Sequence, residues 1–302
     1  MPLLQKSIEH PNQSETAAAK RVQASLQLHF RVDESGRRTV LAHTRQEPPL
    51  RVVRAFTSAD SSALVHLHNV SGGLLGGDHL HLEVRVGPRA NAQITTTGAT
   101  RIYRPRSSAS DTTQTNEITV EEEALLEYVP DPLIPFAQVR YCQRTLIHLE
   151  RGAGLFWWEV LAPGREAGGE LFAYQRVDLK TEILADNRRI AVEGVRLEPA
   201  VRNLTSQARL GQYRYWASFY ICRVGLQQGF WMSAEQQLRE TAAELGGPNE
   251  MLWGISTLPA HGLALRCLGR HGQQMIPSLQ KLWCAAKRLL YRREAVLPRK
   301  VN

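Results

Sequence analysis

Apolar and polar residues take turns along much of the chain. Leu80, Leu82, Val84 and Val86 alternate with His79, His81, Glu83 and Arg85. That period of two gives a β-strand one apolar and one polar face. Residues 63–68 repeat the pattern, with Val65 and Leu67 opposite His66 and His68. Further strands are predicted over 93–97, 117–120, 139–149, 155–160, 171–179, 212–224 and 263–268. Turn chemistry separates them, including Gly87-Pro88, Pro130-Asp131-Pro132, Gly152-Ala153-Gly154 and Pro163-Gly164. Short strands at regular spacing predict a mainly β architecture.

Two segments switch to helical spacing. One runs over about 234–245, with Ser233 as cap, Gln236 completing a capping box and Gly246 just past the end. The other starts at Pro277, a residue suited to a first helical position. From there Leu279, Leu282, Trp283, Ala286 and Leu290 form one apolar stripe. Residues 1–20 contain PNQSETAAAK and no apolar core, so they predict a flexible leader rather than a signal peptide. With no internal repeat and no low-complexity linker, 21–302 reads as a single domain.

Composition narrows the class. Hydrophobic residues are 43% and charged residues 22% of 302, ordinary for a soluble globular chain. No stretch reaches the roughly 18 uncharged apolar residues that a membrane span requires, and a cytoplasmic protein is expected. Cys142, Cys222, Cys267 and Cys284 show no C-x-x-C spacing and read as reduced thiols. The net charge of +8 is concentrated at the end. Lys281, Lys287, Arg288, Arg292, Arg293, Arg299 and Lys300 stand there against Glu294 alone, leaving the rest nearly balanced. Such a tail predicts a solvated face or a docking surface for an acidic partner, not a nucleic-acid interface.

Candidate chemistry centres on Ser71-Gly72-Gly73-Leu74-Leu75-Gly76-Gly77-Asp78. No Lys-Ser or Lys-Thr follows, and a strand follows where nucleotide motifs need a helix. The segment therefore predicts a tight buried corner with Asp78 held at a fixed position. His66 with His68, and His79 with His81, lie about 7 Å apart along a strand face, so either pair can share a metal. No G-x-S-x-G or H-E-x-x-H is present. A hydrolase using Asp78 and Glu159 as an acid/base pair stays open at this level.

The chain resembles the UreD (UreH) urease accessory family, whose pattern here is Gly-Gly-Leu-Leu-Gly-Gly-Asp over 72–78. Similar to that family in order are TTTGATRIYR at 95–104, LEYVPDPLIPF at 126–136, Trp158-Glu159 with Gly164-Arg165 and Gly169-Glu170-Leu171-Phe172, and Val296-Leu297-Pro298-Arg299. Early stretches at 22–30 and 36–42 match its opening strands. Arg101 and Thr97 depart from the family's frequent Lys and Pro, and Lys300-Val301-Asn302 lack a frequent Trp.

The resemblance implies an all-β fold of stacked, β-helix-like layered sheets with two α-helices in the C-terminal half. It implies no catalytic reaction. The implied role is a urease maturation scaffold or chaperone that binds UreF, the GTPase UreG and apo-urease. It also implies nickel(II) in transit, with no tightly bound cofactor, along a path lined by Asp78, Glu159, Glu193 and, fourth, Thr100. Spaced carboxylates bind nickel(II) less tightly than imidazole or thiolate would, which suits a conduit that must release its ion.

Overall fold

The period-two runs become strands in a computed structural model that describes residues 23–105 and 111–298. The expected leader, Val22 and the final residues from Arg299 to Asn302 lie outside the described residues. In chain order the strands are β1 Gln23–Val32, β2 Thr39–Gln46, β3 Leu50–Arg51, β4 Ala55–Thr57, β5 Ala63–Asn69, β6 His79–Val86, β7 Asn91–Thr96, β8 Thr100–Ile102 and β9 Thr112–Val120. They continue as β10 Leu125–Tyr128, β11 Leu133–Pro135, β12 Arg140–Leu149, β13 Gly154–Leu161, β14 Arg176–Ala185, β15 Arg188–Leu197, β16 Tyr215–Arg223, β17 Met251–Thr257 and β18 Gly262–Gly269. Helix α1 is Gln228–Ala243 and helix α2 is Gly272–Tyr291.

Two sheets result. The first has the order β15-β14-β12-β9-β6-β1-β2 and the second β17-β18-β16-β13-β10-β7-β5-β3, with β4, β8 and β11 attached to the second. Between β5 and β14 the chain crosses from one sheet to the other and back. Strands β6, β9, β12 and β14 add in parallel to the first sheet, and β5, β7, β10 and β13 add in parallel to the second. Parallel neighbours need a long crossover, and here the opposite sheet supplies it. Antiparallel strands finish each sheet, and neither closes on itself.

Because β13 is covered on both faces, its alternation is hidden in an almost wholly apolar run. Leu155 and Trp157 face the space between the sheets. Phe156, Trp158 and Val160 face the helices, packing with Phe219, Trp231, Leu279, Leu282 and Trp283. A smaller core around Leu74, Leu80, Ile102, Tyr141, Leu161 and Val177 fills the other end of the interlayer.

Several boundaries differ from the sequence expectation. The strand predicted over 171–179 begins at Arg176, because Phe172 takes a left-handed φ of 51° that breaks the extension. The one predicted over 117–120 is the end of β9. Strands β15 and β17 were not predicted. They are sheet edges with few buried positions and a glycine inside each.

Helix α1 starts five residues before Ser233, which is therefore not its cap. Gln227 holds that place without a side-chain bond, and Trp231, wholly buried in the first turn, ties the early start to the core. Likewise Pro277 lies inside α2 rather than at its start, where His271 holds the N-cap place without a side-chain bond, and buried Met275 anchors the preceding turn. The α2 stripe serves the core. Lys287, assigned by sequence to a basic outer face, is buried with it. Among the described residues no helix is long and apolar enough to cross a membrane.

Candidate functional site

The glycine motif forms the expected corner. Gly72 and Gly77 take φ values of 74° and 91°, open mainly to glycine. A Cβ on Gly73 would strike the Arg101 carbonyl and the Tyr103 ring, and one on Gly76 would strike Pro105. The corner is pinned to the 95–104 motif by Leu74 N–H donating to the Arg101 carbonyl (2.8 Å) and Tyr103 N–H donating to the Leu74 carbonyl (2.7 Å). Asp78 is buried, and its carboxylate accepts the Leu75 N–H at 2.8 Å, closing the turn.

Where these motifs meet, a cavity of about 290 Å³ opens, walled by Gly72, Gly73, Leu74 and residues 96–101. Thr96, Thr100, Gln114 and Tyr128 are shared with a smaller adjoining chamber of about 60 Å³ that adds Pro130, Asp131, Gln143 and Glu159. The two adjoin along those four residues, and Glu159 lines the smaller one. The 126–136 motif builds the chamber wall, and Trp158 locks that wall by donating Nε1–H to the Pro130 carbonyl at 2.8 Å. Four stretches distant in sequence thus converge on these two chambers.

Glu159 points from β13 into the interlayer and spans it. Its carboxylate accepts Gln143 Nε2 from β12 and, at 3.1 Å, Thr181 Oγ1 from β14. Desolvation pushes its pKa up to about 7, and the Glu193 charge adds to the rise, while the Thr181 and Gln143 donors oppose it. Glu193 lies beside Thr181 in the β14–β15 register. It accepts Tyr220 OH at 2.8 Å and Arg266 Nε at 2.5 Å. Burial, then Glu193, raises the Tyr220 phenol above its usual range, so it remains a donor.

These groups belong to a larger band. On the first sheet Asn116, Thr145, Thr181 and Glu193 stand side by side in register across β9, β12, β14 and β15. On the second, Glu159, Ser218 and Arg266 do the same across β13, β16 and β18. The band separates the main interlayer core from the smaller one. Asn116 Nδ2 donates to Thr145 Oγ1 and Gln114 Nε2 to Asn116 Oδ1, each at 2.9 Å, while Tyr141 OH donates to Gln143 Oε1 at 2.9 Å. Such linkage gives the buried polar side chains of the first sheet their partners.

Of the residues expected on an ion path, the structure brings Glu159, Glu193 and Thr100 to these chambers and the band. Asp78 lines neither chamber. Sequence reasoning missed Gln114, Asn116, Gln143, Thr145 and Thr181. Their signal was present: Gln114-x-Asn116-x-Ile118-x-Val120, Gln143-x-Thr145-x-Ile147-x-Leu149 and Leu179-x-Thr181-x-Ile183 carry polar residues on the inward face at matching depth. The histidine pairs lie elsewhere. His79 and His81 bond separately to Thr113 (2.6 Å) and Thr115 (3.1 Å). His66 and His68 line an apolar hollow with Phe56. Among the described residues no three His, Cys, Asp or Glu side chains gather as a metal cage.

The comparisons agree with the motifs. The family profile for the UreD urease accessory protein matches residues 22–302. The chain is 42% identical to the urease accessory protein UreD of Herpetosiphon aurantiacus, covering 93% of this chain and 97% of that one. It is 28% identical to that of Staphylococcus aureus strain RF122 (80% and 84% covered) and 26% identical to that of Staphylococcus saprophyticus (91% and 96% covered). The chain belongs to the UreD urease accessory protein family.

Proposed function

We propose that this protein is a non-enzymatic scaffold for urease maturation, a single UreD-like domain over 21–302. In this reading it binds apo-urease and a UreF–UreG assembly in the cytoplasm and passes nickel(II) toward the urease site. GTP dependence belongs to UreG. The crossing of the chain between two sheets supports reading each crossing as a coil of a β-helix-like stack.

The observation that carries the reading is Glu159, lining the smaller of two adjoining chambers walled by the family's own motifs, with Glu193 next along the polar band. Nickel is cargo here, not a resident cofactor. Two carboxylates amid hydroxyls and amides bind it more weakly than imidazole or thiolate, and serial weak sites let an ion both arrive and leave. Thr100 lines both chambers, and Asp78 contributes by holding the glycine corner beside them. A hydrolytic Asp78–Glu159 pair is disfavoured, since Asp78 is committed to its own turn outside both chambers.

Deleting the gene should leave assembled, nickel-poor and inactive urease, and normal activity would refute the scaffold role. Glu159→Ala should lower urease nickel content while the accessory complex still forms; full loading would remove Glu159 from the path. Expressed alone, the chain should aggregate more than when co-expressed with UreF.

A further inference from the structure

The far end of the band is closed by a cation. Arg266 Nε stands 2.5 Å from a Glu193 oxygen, with the guanidinium side chain 49% exposed and the carboxylate side chain 10% exposed. The charge on the inner side is therefore held in place, while its partner is half in water on strand β18. For stability alone such a half-exposed pair contributes little. Its position gives it another use.

Glu159, Ser218 and Arg266 are direct cross-strand neighbours and share the inward face of the second sheet. Ser218 stands between the other two and is 1% exposed, yet among the described residues its Oγ has no hydrogen-bond partner. An oxygen left unpaired at that depth is costly. A buried unmatched hydroxyl in register beside Glu159 suits a passing cation. Arg266 is the positive charge among the band residues, and it cannot lose its proton.

We propose that Arg266 is the gate of this band: its guanidinium acts as an internal counter-ion to Glu193, and a divalent cation travelling from Glu159 past Ser218 leaves by exchanging places with it. This rests on the ion-path reading above. A partner that offers a carboxylate to the exposed side of Arg266 draws the guanidinium outward and opens the path. No covalent step is involved.

The test is nickel(II) binding to the full-length chain, measured by calorimetry and by release to a colorimetric chelator in stopped flow. Arg266→Gln frees Glu193 and should tighten binding about tenfold while slowing release. The gain should vanish in Arg266→Gln/Glu193→Gln. Arg266→Lys keeps the charge without the planar fork and should fall between wild type and Arg266→Gln. It also provides the reading if the Gln variant does not fold. Wild-type affinity in both Arg266 variants, with binding lost in Glu159→Gln, overturns the gate and leaves the path standing. Unchanged binding in Glu159→Gln as well overturns both.

Discussion

Lys287 Nζ lies 3.0 Å from the Glu127 carboxylate, with the two side chains only 1% and 3% exposed. Lys287 also reaches Asp60 at 3.2 Å, and Trp283 donates Nε1–H to Glu127 at 3.0 Å. These four residues fasten α2 to β10 and to the loop before β5. Burial raises the Glu127 pKa, and Lys287 opposes that rise. Lys287→Met should therefore destabilise by about 3–5 kcal/mol, because it strands a buried acid. Lys287→Met/Glu127→Leu should recover the larger part. Urea denaturation of the three proteins checks both outcomes.

Glu159 makes stability depend on pH with a definite sign. Its folded pKa of about 7 lies above the ordinary carboxyl value of 4.5. Between those two values the folded state holds more protons than the unfolded one, so stability falls as pH rises through that window and levels off above it. Glu159→Gln can keep both hydrogen bonds, with its carbonyl accepting Gln143 and its amide donating to Thr181, and it has no charge to lose. The variant should match wild type near pH 4.5 and exceed it by about 1–3 kcal/mol at pH 8, allowing for partial solvation. Thermal unfolding across pH 4.5–8 measures the gap; a constant difference rejects the assignment.

The glycine corner beside the cavity has no room for a methyl group at Gly76, where Pro105 backbone and ring stand in the way. Gly76→Ala should cost about 1–3 kcal/mol through overpacking. Gly254 on edge strand β17 has open space around it, and Gly254→Ala should stay within about 0.5 kcal/mol. Comparing the denaturation midpoints of the two variants separates packing from a general intolerance of alanine.

The band is held by side-chain bonds that tolerate no simple apolar exchange. Thr145 is buried and its Oγ1 accepts Asn116 Nδ2 at 2.9 Å. Thr145→Val keeps the shape and strands the amide, at a cost of about 1–3 kcal/mol. Thr145→Ser keeps the hydroxyl and should lose less. Equal losses in a denaturation series would show that the methyl group, not the hydrogen bond, matters here.

Strands with one polar face, such as β6, were legible, since local alternation records which side chains avoid water. The glycine corner was legible too, because closely packed glycines admit few alternatives. Helix starts were not: Trp231 and Met275 extend α1 and α2 beyond their local cap signals by packing into a core that forms only when distant strands assemble. Edge strands β15 and β17 escaped notice because an edge has less to bury. Glu159 and Glu193 were named as path residues by resemblance, and nothing in their spacing alone brings them together.

By itself the sequence determined the family, the strand-rich character and the faces of the more regular strands, because these depend on neighbours a few residues apart. The tertiary structure alone decided that Gln114, Asn116, Gln143, Thr145, Thr181 and Ser218 join Glu159 in one band, and that Lys287 leaves the basic tail for the core. Those outcomes depend on strand register and on partners as far apart as the 160 residues between Glu127 and Lys287. A polar side chain on an inward face is settled only when strand register, in its own sheet or across the interlayer, brings it a hydrogen bond or counter-charge.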